Sequence, residues 1–247
     1  MFDKGPPAAF AALLDQAPDP PHPEAFWLDW GPVFYRGRAN KTARLLCVAS
    51  DPGPTERIAG RTLVGDAGQR VQGFLAKLGL TRSYVCLNAF PYALIPSRGD
   101  GAAAWLKEPP QLKWRNRVFR AAAGPGLQAI VAFGVNAQAA VKLWEDRPPV
   151  PVERVPHPSS HDGARLVREW RAAVTRLRAV VTPEAGPAPN YGEAFSEADY
   201  APIPRADLPF GVPWFLGDDR WARGRDVRSS VRRPVPDDRH TLIWSAP

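Results

Sequence analysis

Three short, almost wholly apolar runs limit this chain more than any other feature: Leu45-Leu46-Cys47-Val48-Ala49, Tyr84-Val85-Cys86-Leu87 and Ala129-Ile130-Val131-Ala132-Phe133. A strand with apolar side chains on both faces must be covered on both, as in a parallel sheet between two helical layers. Helical spacing lies between the runs. Val71, Phe74, Leu75 and Leu78 recur at that spacing, with Asp66 as N-cap, Gln69 in the capping-box position and Gly79 to end the helix. The pattern also predicts helices over 8–16, 112–123, 136–144 (capped by Asn136) and 163–180, and a short fourth strand within 151–156. Strands alternating with helices predict an α/β fold, a three-layer αβα sandwich around a four-stranded parallel sheet.

With 247 residues, 45% hydrophobic and 23% charged, the chain has ample material for a packed core. Its 29 prolines mark long irregular segments. One is the linker Ala17-Pro18-Asp19-Pro20-Pro21-His22-Pro23, after which Phe26, Trp27, Trp30, Phe34 and Tyr35 are expected to pack on the edge of the core. Another is 183–247, which has no sustained period yet keeps Phe210, Trp214, Phe215, Trp221 and Trp244. A purely disordered tail would be poor in aromatics. The predicted organisation is therefore a domain over 1–182 and an extension over 183–247 docked on it through these rings.

Net charge is +7, with about +9 on residues 1–182 and about −2 on the remainder. A basic body favours a polyanion such as nucleic acid, and places that surface on the first part. Cys47 and Cys86 sit inside apolar runs and read as small buried side chains. Two thiols without clustered histidines fall short of an iron–sulfur or structural zinc site, so no metal or cofactor is expected. The opening Met1-Phe2-Asp3-Lys4-Gly5-Pro6 lacks an apolar leader core, and no apolar run approaches the roughly 20 residues that cross a bilayer. The expectation is a monomer of the bacterial cytosol and nucleoid, with no membrane partner.

Polar chemistry gathers where the strands end. Ser50-Asp51-Pro52-Gly53-Pro54-Thr55 follows the first run, and Asp51 reads either as a turn aspartate or as a carboxylate that orients water or stabilises a cation. Asn88 ends the second run. Either it satisfies loop backbone, or its amide matches a base edge with a carbonyl beside an N–H, as uracil has at O4 and N3. Cytosine presents an amino donor there and mismatches. His157, held between Pro156 and Pro158, is a structural histidine or a neutral imidazole donating to an oxygen that becomes anionic. Ser159 and Ser160 open a turn before a helix and suit a phosphate. Arg61, Arg98, Lys113, Arg115, Arg117 and Arg120 are candidates for phosphate contact, the last four otherwise forming a solvated helix face.

In this order the motifs resemble the uracil-DNA glycosylase superfamily over about residues 44–180. Ser50-Asp51-Pro52 is similar to the water-activating Gln-Asp-Pro of the first family, Leu87-Asn88-Ala89 to its uracil-reading Leu-Asn-Ala, and His157-Pro158-Ser159-Ser160 to its minor-groove His-Pro-Ser-Pro. The stretch from Glu56 through Gly60-Arg61-Thr62-Leu63-Val64-Gly65-Asp66-Ala67-Gly68 instead resembles the bacterial iron–sulfur families. The four cluster cysteines of those families are missing, so the resemblance implies no cluster. Gly53 stands where the first family has the tyrosine that blocks thymine's methyl group. Leu63 stands where the iron–sulfur families stack a phenylalanine on uracil, which leaves Phe90 or Tyr92 to stack. His161 replaces an intercalating leucine.

The resemblance implies a glycosylase that flips uracil out of single- or double-stranded DNA and hydrolyses its glycosidic bond. Asp51 would act on the sugar cation and the water, Asn88 on O4 and N3, and His157 on O2. The alternatives are a glycosylase for other deaminated or alkylated bases, which Gly53 permits, and a non-catalytic binder of uracil-containing DNA. A generic nucleotide-binding protein lacks the glycine-rich phosphate loop it would need.

Overall fold

Side chains along the apolar runs alternate between two separate cores. Leu45, Cys47, Tyr84, Cys86, Val131 and Phe133 face one, whereas Leu46, Val48, Val85, Leu87, Ile130 and Ala132 face the other. That is the two-residue period of a strand with neither face left to solvent. The computed structural model describes residues 2–29 and 31–211, together with the backbone of Arg232–Arg233 and Thr241–Leu242.

The strands are β1 (Phe26–Trp27), β2 (Tyr35–Gly37), β3 (Leu45–Ala49), β4 (Tyr84–Asn88), β5 (Ala93–Leu94), β6 (Ala129–Phe133), β7 (Val152–Val155), β8 (Arg232–Arg233) and β9 (Thr241–Leu242). The central sheet runs β2-β4-β3-β6-β7. The β4–β3, β3–β6 and β6–β7 pairs are parallel, and β2 is antiparallel to β4. The sheet therefore has five strands and is mixed, where the sequence predicted four strands, all parallel. Three residues, Tyr35-Arg36-Gly37, are too few to show a period, and only pairing with β4 makes them a strand. β1 and β5 form a separate antiparallel pair.

Helices flank the sheet: α1 (Ala8–Leu14), α2 (Pro54–Ala59), α3 (Asp66–Lys77), α4 (Ala102–Trp105), α5 (Pro109–Ala122), α6 (Val135–Lys142) and α7 (Gly163–Leu177). Side chains of α3 and α7 close one core; α1, α5 and α6 close the other. Two caps differ from expectation. Gly65, not Asp66, is the N-cap of α3, and Asp66 is its first helical residue. Gly134, not Asn136, is the N-cap of α6, which frees the Asn136 side chain for another role.

Within 183–211 the chain lies along α3 and α7. Tyr191 and Phe195 pack on Trp170 at ring separations of 5.9 and 6.4 Å. Phe210 is 84% exposed, and among the described residues its ring meets the partly exposed ring of Phe2 at 5.4 Å. Trp30, Trp214, Phe215, Trp221 and Trp244 lie outside the described residues.

A buried cation joins these parts. Arg36 of β2 is fully buried and donates to Thr62 O (3.1 Å), Gln72 Oε1 (2.8 Å) and Asp207 Oδ2 (3.2 Å). Asp207 also accepts from the Tyr84 hydroxyl at 2.6 Å, so one carboxylate links the edge strand, β4 and the C-terminal segment. Asp207→Ala would leave a buried guanidinium without its counter-charge and should cost about 3–5 kcal/mol in urea unfolding. The double variant Arg36→Met/Asp207→Leu, which removes both charges, should cost clearly less.

Candidate active site

The sheet's carboxyl edge is where backbone must leave the ladder, and the polar side chains collect there. Beyond β3 and β4 the pairing continues: Ala89 N–H donates to Ala49 O and Phe90 N–H to Ser50 O, both at 2.9 Å. The loops that follow stay side by side. As a result Leu94 N–H reaches Asp51 Oδ2 at 2.9 Å. The Ser50 hydroxyl also bonds to the Asp51 carboxylate, and Ser50 Oγ itself accepts from Asn136 Nδ2 at 2.9 Å. An amide NH2 can only donate, so the Ser50 proton is left to point at Asp51. Burial pushes the Asp51 carboxyl up to about 6 and the nearby Glu56 adds to this, while Ser50, Leu94 N–H and Arg57 hold it back.

Asn88 is the last residue of β4, in register with Ala49. It is 8% exposed, and among the described residues neither its amide nitrogen nor its amide oxygen has a hydrogen-bond partner. An unpaired buried polar group costs about 1–3 kcal/mol, so an amide orphaned at both ends is a strong departure from normal packing.

His157 follows β7, two strands away from β3 in the sheet order and so roughly 10 Å across. Every carbonyl around it is engaged. Val155 O accepts from Gly134 N–H (2.9 Å), Pro156 O from Trp170 Nε1 (3.0 Å), His157 O from Ser160 N–H (2.9 Å) and Pro158 O from Arg70 Nη1 (2.8 Å). Gly134, at φ +84°, is required here twice over, because a Cβ would lie 2.9 Å from His157 Cβ. Nδ1 of His157 accepts from Ser159 N–H at 3.2 Å, which assigns the proton of the neutral ring to Nε2. Burial lowers this imidazole to about 4, so it is uncharged at neutral pH and offers a hydrogen-bond donor without a full charge.

A cleft enclosing about 840 Å³ of open space lies beside these residues, lined in part by Gly53, Glu56, Asp66, Arg70, Ser159 and His161. Ser160 lines it too. Glu56 organises its floor. Oε1 accepts from Val64 N–H and Gly65 N–H, each at 2.8 Å, and holds the turn in which Leu63 takes a left-handed φ of 55°. Oε2 of Glu56 lies 2.6 Å from where a Cβ on Gly53 would stand, so the carboxylate occupies the room a side chain there would need.

The structure thus brings Ser50, Asp51, Asn88 and His157 to one sheet edge, and Gly53, Ser159, Ser160 and His161 to the adjoining cleft. Other predicted residues go elsewhere. Leu63 is buried in the core under α3. Phe90 and Tyr92 line a separate, narrow apolar pocket with Phe26 and Trp114. Arg61 is tied to Asp3 at 2.6 Å and Arg98 to Glu24 O at 2.8 Å, and neither lines the cleft. On α5, Arg117 bonds Gln16, Arg120 pairs with Asp146, and Lys113 is exposed. Arg115 is corrected outright: it faces inward, 2% exposed, bonded to Leu106 O, because it sits on the core side of the helix.

Sequence reasoning passed over Glu56, Arg70 and Asn136 as site residues. Glu56 carried a signal, since it opened the stretch that resembles the iron–sulfur families. Asn136 read as a helix cap, and nothing in the sequence marks Ser50 as its partner. Arg70 carried none, as its partners Pro158 and Tyr200 are 88 and 130 residues away. No protein-family model matches the chain, and no curated protein does. Among the described residues no helix is long and apolar enough to cross a membrane.

The Asp51 environment carries a stability consequence. Its carboxyl titrates near 6 when folded against 3.8 unperturbed, so the fold loses stability as pH rises from about 4 to 6 and carries the whole penalty above that. Asp51→Asn should therefore raise stability at pH 7 by about 1–3 kcal/mol, with the gain vanishing below pH 4 in denaturant titrations.

Proposed function

We propose that this protein is a monofunctional uracil-DNA glycosylase with the αβα fold of that superfamily, acting on uracil in DNA and leaving an abasic site. The orphaned amide of Asn88 carries the reading. A donor and an acceptor side by side, buried and, among the described residues, unpaired, suit the O4 and N3–H edge of uracil. The amide is closed off in the free protein, so base entry involves opening around it, as expected of enzymes that close on a flipped nucleotide.

The chemistry follows from the neighbours. The bond from uracil N1 to the sugar C1′ breaks with its electron pair leaving on uracil, where charge spreads to O2. Neutral His157, with its proton on Nε2, donates to that oxygen at no cost of bringing a like or opposite full charge into the site. Ionised Asp51 stabilises the cation left on the sugar and takes a proton from the water that bonds to C1′. Ser159 and Ser160 hold the DNA backbone beside the cleft. The DNA is single- or double-stranded, and the reaction calls for no metal or cofactor. The body's positive charge, outside 183–247, supports such a partner.

A wider base range has its own support. Gly53 itself puts no side chain over the site. A panel of single-lesion oligonucleotides separates the two ranges by the bases released.

Asp51→Asn should lower uracil release from an oligonucleotide by a factor of at least about 10³ while DNA retention persists. Unchanged release would remove Asp51 from the mechanism, and retention without any abasic product from the unaltered protein would favour a pure binder. Because Asp51 must be ionised, kcat/KM should rise through pH 6 and then level. His157, already neutral there, adds no second limb between pH 5 and 8.

A further inference from the structure

The C-terminal segment reaches the histidine loop through two donors. Pro156 O is held by Trp170 Nε1 and Pro158 O by Arg70 Nη1, one on each side of His157. Both donors lean on one ring. Arg70 lies 4.9 Å over Phe195, and the Trp170 ring meets Phe195 edge-on at 6.4 Å. Arg70 Nε also donates to the Tyr200 hydroxyl at 2.9 Å, so its guanidinium is fixed between the loop and the segment.

The segment is seated firmly enough to serve. Lys77 pairs with Asp199 at 2.8 Å with both side chains buried, and Ala201 N–H donates to Gln69 O at 3.1 Å. A Cβ on Gly73 would come 1.8 Å from Asp199 O, so the backbone of the segment rests directly on α3. The carbonyls of Pro156 and Pro158 thus take their donors from α7 and α3, outside the loop that carries His157.

We infer that Phe195 is a positioning residue for His157, acting through Arg70 and Trp170 on the two carbonyls that bracket it. The inference rests on the catalytic reading of His157 given above. The cation–π contact steadies the Arg70 guanidinium, and the edge-on pair adds to the packing of Trp170 against Phe74, Phe133 and Tyr191. Loss of that support leaves substrate contacts untouched and lets the imidazole drift from the oxygen it serves, and small misplacements of catalytic groups are costly. The role is therefore visible in kcat rather than KM.

The test uses the full chain with Phe195→Leu, which keeps apolar bulk but removes the ring, and Phe195→Tyr, which keeps the ring. Release of uracil from an oligonucleotide is measured beside the NMR signals of the His157 ring, readily assigned in a chain with four histidines. Phe195→Leu should lower kcat about tenfold, move KM less than about threefold, and shift or broaden the His157 signals. Phe195→Tyr should restore all three. Unchanged His157 signals in folded Phe195→Leu, or a Phe195→Tyr protein as impaired as Phe195→Leu, would overturn the inference. A native protein that releases no uracil sinks the glycosylase reading alone, because the NMR comparison still decides whether Phe195 positions the ring.

Discussion

Burial of the sheet on both faces is the constraint from which the rest of the molecule follows. The side chains of β3 and β6 are at 0% exposure throughout, so nothing polar can be carried along them. Polar function is left to the strand ends, where the chain escapes the ladder. Helices α3 and α7 on one side and α1, α5 and α6 on the other then close the faces, and the polar groups are left to the carboxyl edge. The apolar runs that make the core are thereby also what gathers Asp51, Asn88 and His157.

Each of these three groups is set in a different electrostatic state by its surroundings. Asp51 keeps two hydrogen-bond donors yet loses enough water to titrate near neutrality. His157 loses water with no anion in reach to compensate, and stays neutral. Asn88 has no charge to lose, but among the described residues neither end of its amide has a hydrogen-bond partner. An unpaired amide, a carboxylate raised by burial and a neutral imidazole are thereby kept in three distinct states at one sheet edge.

The C-terminal segment contributes more than cover. Through Asp207 it neutralises Arg36 at the edge of the sheet, and through Phe195 and Tyr200 it reaches Arg70 and the loop after β7. An added strap of irregular chain is a means of bracing a loop that neighbouring strands do not brace. Its aromatics contribute unequally: Tyr191 and Phe195 are packed against Trp170, whereas Phe210 is carried outward by the turn that bears it.

The local code reads well wherever local physics decides. Continuous apolar runs announce β3, β4 and β6, helical spacing announces α3 and α7, and the polar residues at three strand exits announce the site, because burial acts on each segment separately. Contacts between distant segments are another matter. Strand β2 exists only because β4 offers an open edge, Arg115 turns inward because its face of α5 meets the core, and Asn136 leaves its helix cap because Ser50 is near. Arg70 joins Pro158 to Tyr200 across chain separations no pattern encodes. The amino-acid sequence by itself determined which segments are buried and which residue types stand at their ends. The tertiary structure alone decided which of those residues meet, how much water each retains and hence which protons they hold, since desolvation and pairing arise only when remote parts of the chain are brought together.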